Sequence, residues 1–310
     1  MTPAVDSALA TPVVFVVFNR PDCTARSLAA IRAARPARLY VVADGPRPDR
    51  AGEAERCAEV RALVEQGVDW PCEVIRDYAA ANLGCARRVS SGLDAVFARE
   101  TEAIILEDDC VPDPTFFPFC AELLERYRQE DRVSHIGGAN FQAKAQPGRY
   151  YFSRYNHVWG WAAWRRSWRL FDWEMKDWPA TRETGWLREQ FSEPGAAQYW
   201  GDVFDRVHAG EVDSWAYRWT YAMWRHGGLA ALPGLNLVSN IGFGLDATHM
   251  QPAERRLCRP AGQVGFPLRH PDQIERDRPA DSCTERTLYS RGYAGLLRRA
   301  VRRMLRRVTT

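Results

Sequence analysis

Residues Val13-Val-Phe-Val-Val-Phe18 are six consecutive β-branched or aromatic side chains with no polar position to turn toward water. A strand of this kind must be covered on both faces, which calls for helices on each side and favours a parallel sheet joined by crossover helices. Shorter runs repeat the pattern at Leu39-Tyr-Val-Val-Ala43, Cys72-Glu-Val-Ile75 and Ala103-Ile-Ile-Leu106. Between them lie helical stretches, residues 25–34 and 87–99, the second with Val89, Leu93, Val96 and Phe97 on one face. Asp113 as N-cap and Pro114 at the first helical position are expected to open a further helix over 115–127. The order β-α-β-(α)-β-α-β-α predicts an α/β protein with a mainly parallel central sheet flanked by helices.

Ligands of such open sheets gather beyond the carboxyl ends of the strands. Three of the runs end there in polar clusters: Asn19-Arg20, Asp44 and Glu107-Asp108-Asp109. Adjacent carboxylates raise one another's pKa, and a bound Mn²⁺ or Mg²⁺ would relieve the repulsion through hard oxygen ligands. An acidic surface loop is the plainer explanation, but the strand-end position favours a metal. Asp44, before Gly45-Pro46, reads either as turn chemistry or as an acceptor for a uracil imide or a ribose hydroxyl. Asn82-Leu-Gly84-Cys-Ala-Arg87-Arg88 enters a helix, so its arginines either face solvent or meet a phosphate at the helix N-terminus. His249, after the glycine-bearing stretch from Ser239, reads either as a structural histidine or as a metal ligand through its neutral imidazole.

After about residue 139 the character changes. Eleven of the twelve tryptophans lie between Trp159 and Trp224, which predicts a large aromatic core with two to four rings turned toward a sugar. The expected organisation is a disordered leader over 1–12, a nucleotide-binding half over 13–138, an acceptor-binding half of the same domain over 139–285, and a basic amphipathic helix over 286–310. Seven arginines and no acid fall between Arg291 and Arg307, so the net charge of +3 becomes about −4 over residues 1–290. That balance argues against nucleic acid as a partner and points the tail toward an anionic membrane surface. No apolar run reaches spanning length, and the eight cysteines form no C-x-x-C pair. The expected location is therefore the cytoplasm, with peripheral contact at the inner face of the membrane through residues 291–310.

Together these segments resemble a known family. Ile105-Leu-Glu-Asp-Asp-Cys-Val-Pro-Asp-Pro-Thr-Phe-Phe117 is similar to the metal-binding segment of GT-A glycosyltransferases, notably the N-acetylglucosaminyltransferase I-like enzymes. Asn82-x-Gly84-x-x-Arg87 is similar to a segment of family-2 glycosyltransferases, and the resemblance covers roughly residues 13–250. It implies the GT-A (nucleotide-diphospho-sugar transferase) fold and metal-dependent sugar transfer from a nucleoside diphosphate donor, a UDP-sugar, to a glycan or lipid-linked glycan acceptor. On that basis Asp109 is the direct metal ligand, His249 its distant partner, and Asp108 a bridge to ribose or a support of the metal shell. Asn19, Arg20 and Asp44 match the uridine-contacting segments, and Gly160-Trp161 the loop beside the donor. Inverting members carry an acid at the start of a helix as catalytic base; here that region offers Asp213, with Glu211 as the alternative. A sugar-nucleotide pyrophosphorylase ranks second, because Asn19-Arg-Pro-Asp22 is not the expected glycine-rich loop. A non-catalytic carbohydrate-binding protein would leave the acidic run idle.

Overall fold

The computed structural model describes residues 8–191, 195–242 and 259–289. Ten strands are formed: β1 (Val13–Val17), β2 (Arg38–Ala43), β3 (Glu73–Tyr78), β4 (Glu102–Glu107), β5 (Cys110–Pro112), β6 (Val133–Gly137), β7 (Tyr150–Ser153), β8 (Trp161–Trp164), β9 (Leu229–Pro233) and β10 (Val238–Asn240). Eight of them make one sheet in the order β3-β2-β1-β4-β8-β6-β9-β7, and β5 and β10 pair separately. Strands β3, β2, β1 and β4 run parallel; β8 and β7 run against their neighbours, and β6 and β9 parallel to each other. The expected α/β class with a mainly parallel sheet is thus observed.

The two faces of β1 show why the run Val13–Val17 had to be a central strand. Val13, Phe15 and Val17 pack with Leu28 and Ile31 of α1 (Pro21–Ala34) and with Val60 and Val64 of α2 (Glu53–Gly67). Val14 and Val16 point the other way, into Val89, Leu93 and Val96 of α3 (Cys85–Arg99). The two-residue period of a strand divides the run evenly between two hydrophobic layers. Helix α4 (Phe116–Arg126) completes the first layer.

The second layer continues beneath five further helices: α5 (Arg165–Trp168), α6 (Trp178–Glu183), α7 (Trp186–Gln190), α8 (Ala196–His208) and α9 (Trp215–Arg225). Several of these are very short, so packing rather than intrinsic propensity must hold them. The tryptophans supply it. Trp161, Trp164, Trp168, Trp178, Trp200, Trp215, Trp219 and Trp224 are all buried, and only Trp159, Trp173 and Trp186 of this group are partly exposed. Finally α10 (Arg278–Thr284), capped by Asp277, docks beside β7 through Asp281, which accepts from Ser153 Oγ and pairs with Arg276.

Two expectations are corrected. Residues 9–12 do not belong to the expected leader, because Leu9 bridges to Pro36, Thr11 is buried and Pro12 accepts a hydrogen bond from Ile104. Asp113 does not cap α4; its carboxylate instead closes a local turn on the N–H and hydroxyl of Thr115, and the helix begins at Phe116. Helix α2 between β2 and β3, only allowed for from sequence, is a full 15 residues. No helix among the described residues is long and apolar enough to cross a membrane. The basic tail of residues 291–310 lies outside the described residues.

Candidate functional site

From β1 the chain turns through α1 to β2 on one side, while β4 lies against β1 on the other. The strand order reverses at this point, which opens a crevice at the carboxyl ends of β1 and β4. Residues leaving both strands meet across it. The Arg20 guanidinium donates through one nitrogen, Nη2, to Asp108 Oδ1 in a short contact and to Asp109 Oδ2 at 3.0 Å. Ser27 Oγ holds the turn by donating to the Asp108 carbonyl at 2.8 Å. Asp108 is buried, and its second oxygen, Oδ2, has no hydrogen-bond partner among the described residues. Burial outweighs Arg20 and the nearby Phe18 N–H and keeps this carboxyl raised, at about 6.

Glu107 follows the strand alternation and faces the α3 side, lining the crevice with Val16 and Cys85. Burial, and then the charges of Asp109 and Asp108, push it up to about 8, with Arg20 opposing. Asp109 is the most accessible of the two acids bound to Arg20. Its Oδ1 accepts from Asn240 Nδ2 at 3.3 Å, and its carbonyl accepts from Ile241 N at 2.8 Å. Gly242 lies so close that a Cβ there would stand 2.1 Å from Asp109 Oδ2, which only glycine avoids. The segment after β10 therefore rests directly on the acid. His249, expected further along it, lies outside the described residues.

The corner at the end of β2 is different. Asp44 is buried, and its two oxygens accept from Gly45 N, Leu83 N, Gly84 N and Asn82 Nδ2 at 2.8 to 3.1 Å. Asn82 also donates to the Gly45 carbonyl at 2.9 Å. Both residues border the crevice, and their polar atoms close the loop 82–84. Gly84, at φ +81°, lets this loop turn into α3, whose first residue, Cys85, lines the crevice. Asn19 likewise donates to Glu53 Oε1 at 2.9 Å, within a network in which Arg47 holds the Glu53 carboxyl down at about 2. Arg88 is buried and bonds the carbonyls of Ala43 and Asp77, whereas the exposed Arg87 lies over the ring of Trp173 at 3.8 Å.

On the α9 side, Ser214 rather than Asp213 is the N-cap, accepting from Tyr217 N at 3.2 Å. Asp213 is the residue before it, exposed, with Oδ2 3.5 Å from where a Cβ on Gly84 would stand. Cys85 lines the crevice with Glu107, and desolvation followed by the charges of Glu107, Asp213 and Asp109 pushes its thiol up to about 12. Glu211 is on an exposed turn and pairs with Arg206 at 3.4 Å. Gly160 and Trp161 are the residues expected beside the donor. Both are buried: Trp161 stacks on His135 and Trp215 at 5.0 and 5.6 Å, and Gly160 packs against Val238 and Leu106. They support the floor of the site without facing it.

The crevice encloses about 300 Å³ and is lined chiefly by Phe18, Arg20, Arg47, Cys85, Glu107 and Asp108. That volume is at the lower end of roughly 300–1,000 Å³ typical of small-molecule sites. Among the described residues no three His, Cys, Asp or Glu side chains converge as a complete ligand set. What is present is two carboxylates with one buried oxygen unpartnered, a donor set that fits a hard cation completing its shell with water and phosphate. Arg47, Glu53 and Cys85 went unmarked in sequence. The first two belong to a loop and a helix with no motif, and Cys85 stood hidden inside the Asn82–Arg88 segment.

No protein-family model matches the chain, and no curated protein does. Among solved structures it is similar to an inositol-1-phosphate CTP transferase from T. maritima, at 11% identity over 81% of this chain and 96% of that one, with a TM-score of 0.41. Mouse xyloside xylosyltransferase 1 is similar at 10% identity over 72% and 85%, with a TM-score of 0.35. A UDP-glucose pyrophosphorylase complexed with UDP-glucose follows at 7% identity over 52% and 78%, with a TM-score of 0.31. Likeness at this level carries no argument about the reaction; the chain is an α/β protein by its own strand order, with an acidic crevice at the switch point.

Proposed function

We propose that the protein transfers a sugar from a nucleoside diphosphate donor, a UDP-sugar, to a hydroxyl of a glycan or lipid-linked glycan, with inversion. The observation that carries this reading is the meeting of Arg20 with Asp108 and Asp109 at the β1/β4 switch point, where an acid oxygen is left without a partner. Asp109 and Asp108 would hold Mn²⁺ or Mg²⁺, with His249 as a further ligand. When bound, the cation offsets the charge that builds on the departing diphosphate. Arg20 and the first N–H groups of α3 supply further positive potential on the same side of the crevice. Asp213, across from Gly84, would take the proton of the attacking acceptor hydroxyl. Helix α1 begins at Pro21, directly after Arg20, which leaves no room after β1 for the glycine-rich loop of a pyrophosphorylase.

Hydrolysis and transfer from UDP-, GDP- and dTDP-sugars with and without Mn²⁺ test the reading. Wild-type protein is expected to turn over one donor class only with metal, and Asp109→Ala to lower that rate by about 10³-fold or more with an unchanged melting curve. Full activity in Asp109→Ala would remove Asp109 from the site, and no turnover or binding of any donor would end the transferase reading.

A further inference from the structure

The pairing of Arg20 with the acids is incomplete in a way that says what it is for. Only Nη2 of the guanidinium is engaged, touching both carboxylates end-on, while Nε and Nη1 have no hydrogen-bond partner among the described residues. An arginine–carboxylate pair frequently closes as a two-pronged fork, although Arg128 also reaches two carboxylates, Glu102 and Glu125, through Nη2 alone. The protein forms such forks elsewhere, as Arg132 does with Glu130 through Nε and Nη2. The Arg20 side chain is also 40% exposed, whereas those of Asp108 and Asp109 are 4% and 16% exposed. It is the solvent-facing partner of two largely buried anions.

The charges do not balance in this state. One guanidinium faces two carboxylates, and Asp108 Oδ2 is buried with nothing donated to it. Asp109 is hemmed in by Asn240 on Oδ1, and by Arg20 and Gly242 on Oδ2. A divalent cation cannot take up the Arg20 side of the pair while Nη2 occupies it. Exchanging the single positive charge for a double one neutralises both acids, and frees a guanidinium whose geometry suits phosphate oxygens.

We propose that Arg20 is a displaceable counter-ion: it holds Asp108 and Asp109 together in the free protein, yields them to the divalent cation, and then binds the donor's diphosphate. This rests on the metal-dependent reading above and assigns Arg20 to the diphosphate rather than to the uridine. Two binding measurements on the full chain separate it from a purely structural role. Free Mn²⁺ is followed by electron paramagnetic resonance without nucleotide, and UDP binding by calorimetry at saturating Mn²⁺, in wild type, Arg20→Gln and Arg20→Lys.

Removing the competing charge is expected to tighten Mn²⁺ about tenfold in Arg20→Gln and to weaken UDP by a similar factor, with Arg20→Lys between. A structural residue would weaken both. Mn²⁺ affinity unchanged or reduced in Arg20→Gln, with Mn²⁺ bound by wild type, overturns the counter-ion role alone. Tighter Mn²⁺ with unaltered UDP affinity overturns the transfer to the diphosphate. Mn²⁺ bound by none of the three proteins removes the metal reading and this inference with it. Arg20→Lys retains the charge, so it reports even where the glutamine variant fails to fold.

Discussion

At the end of β2, Asp44 accepts four hydrogen bonds from its own neighbourhood; at the end of β4, Asp108 has one oxygen on Arg20 and the other on nothing. Both are buried aspartates following apolar parallel strands, and sequence alone treats them alike. The difference lies in what comes after each. Asp44 is met by a loop whose N–H groups converge on it, whereas the β4 turn sets two acids against a single arginine. A buried acid that is fully satisfied is held in place by its own loop, and one that is under-satisfied calls for a further explanation.

The largest effect that could break this contrast is at Glu107. Its carboxyl is raised from 4.5 to about 8, so the folded state keeps a proton that the unfolded chain gives up. The stabilisation is fully present below pH 4.5 and is lost as the pH rises through about 8. Without metal, Glu107→Gln should match wild type near pH 4. By pH 9 it should be more stable by up to about 5 kcal/mol, a ceiling because the residue keeps some solvent contact. Urea unfolding in EDTA at both pH values measures it, and parallel stability curves would show the acidic corner to be as settled as the other.

Asp44→Ala sharpens the comparison from the opposite side. It strips partners from three backbone N–H groups and the Asn82 amide, at a cost of about 3 kcal/mol in stability. A loss below about 0.5 kcal/mol would mean that the loop 82–84 is held by something else. Asp213→Asn should have the least effect on the fold, since Ser214 performs the capping. It is expected to lower transfer about 100-fold at unchanged stability, and near-full transfer would move the base elsewhere.

The sheet was legible because β1 and β4 are apolar without a break, and the polar residues at their ends pointed to the crevice by rule. The aromatic half was harder to divide. From sequence Trp161 reads as part of a glycine-containing loop beside the donor, yet it opens β8 and its ring stacks on His135 and Trp215. Nothing in composition distinguishes an indole facing a sugar from one facing another indole. Asp213 and Ser214 are both good caps by type, and only the backbone geometry chose between them. The saturation of Asp44 by Leu83 and Gly84 was invisible for the same reason, because backbone donors carry no side-chain signature.

The pairing of β1 with β4 also bears on how the site comes into being. Val13 lies beside Ile104, about ninety residues later in the chain, so this contact closes a long loop. Such closures are entropically slow to reward, and sheets built on them fold late relative to local helices. A nascent chain that has emerged only through α3 already holds Arg20 and the Asp44 loop, but has no acid run for the guanidinium to meet. The cleft is therefore a product of completed sheet assembly, and occupancy of the acidic corner reports that β4 has docked.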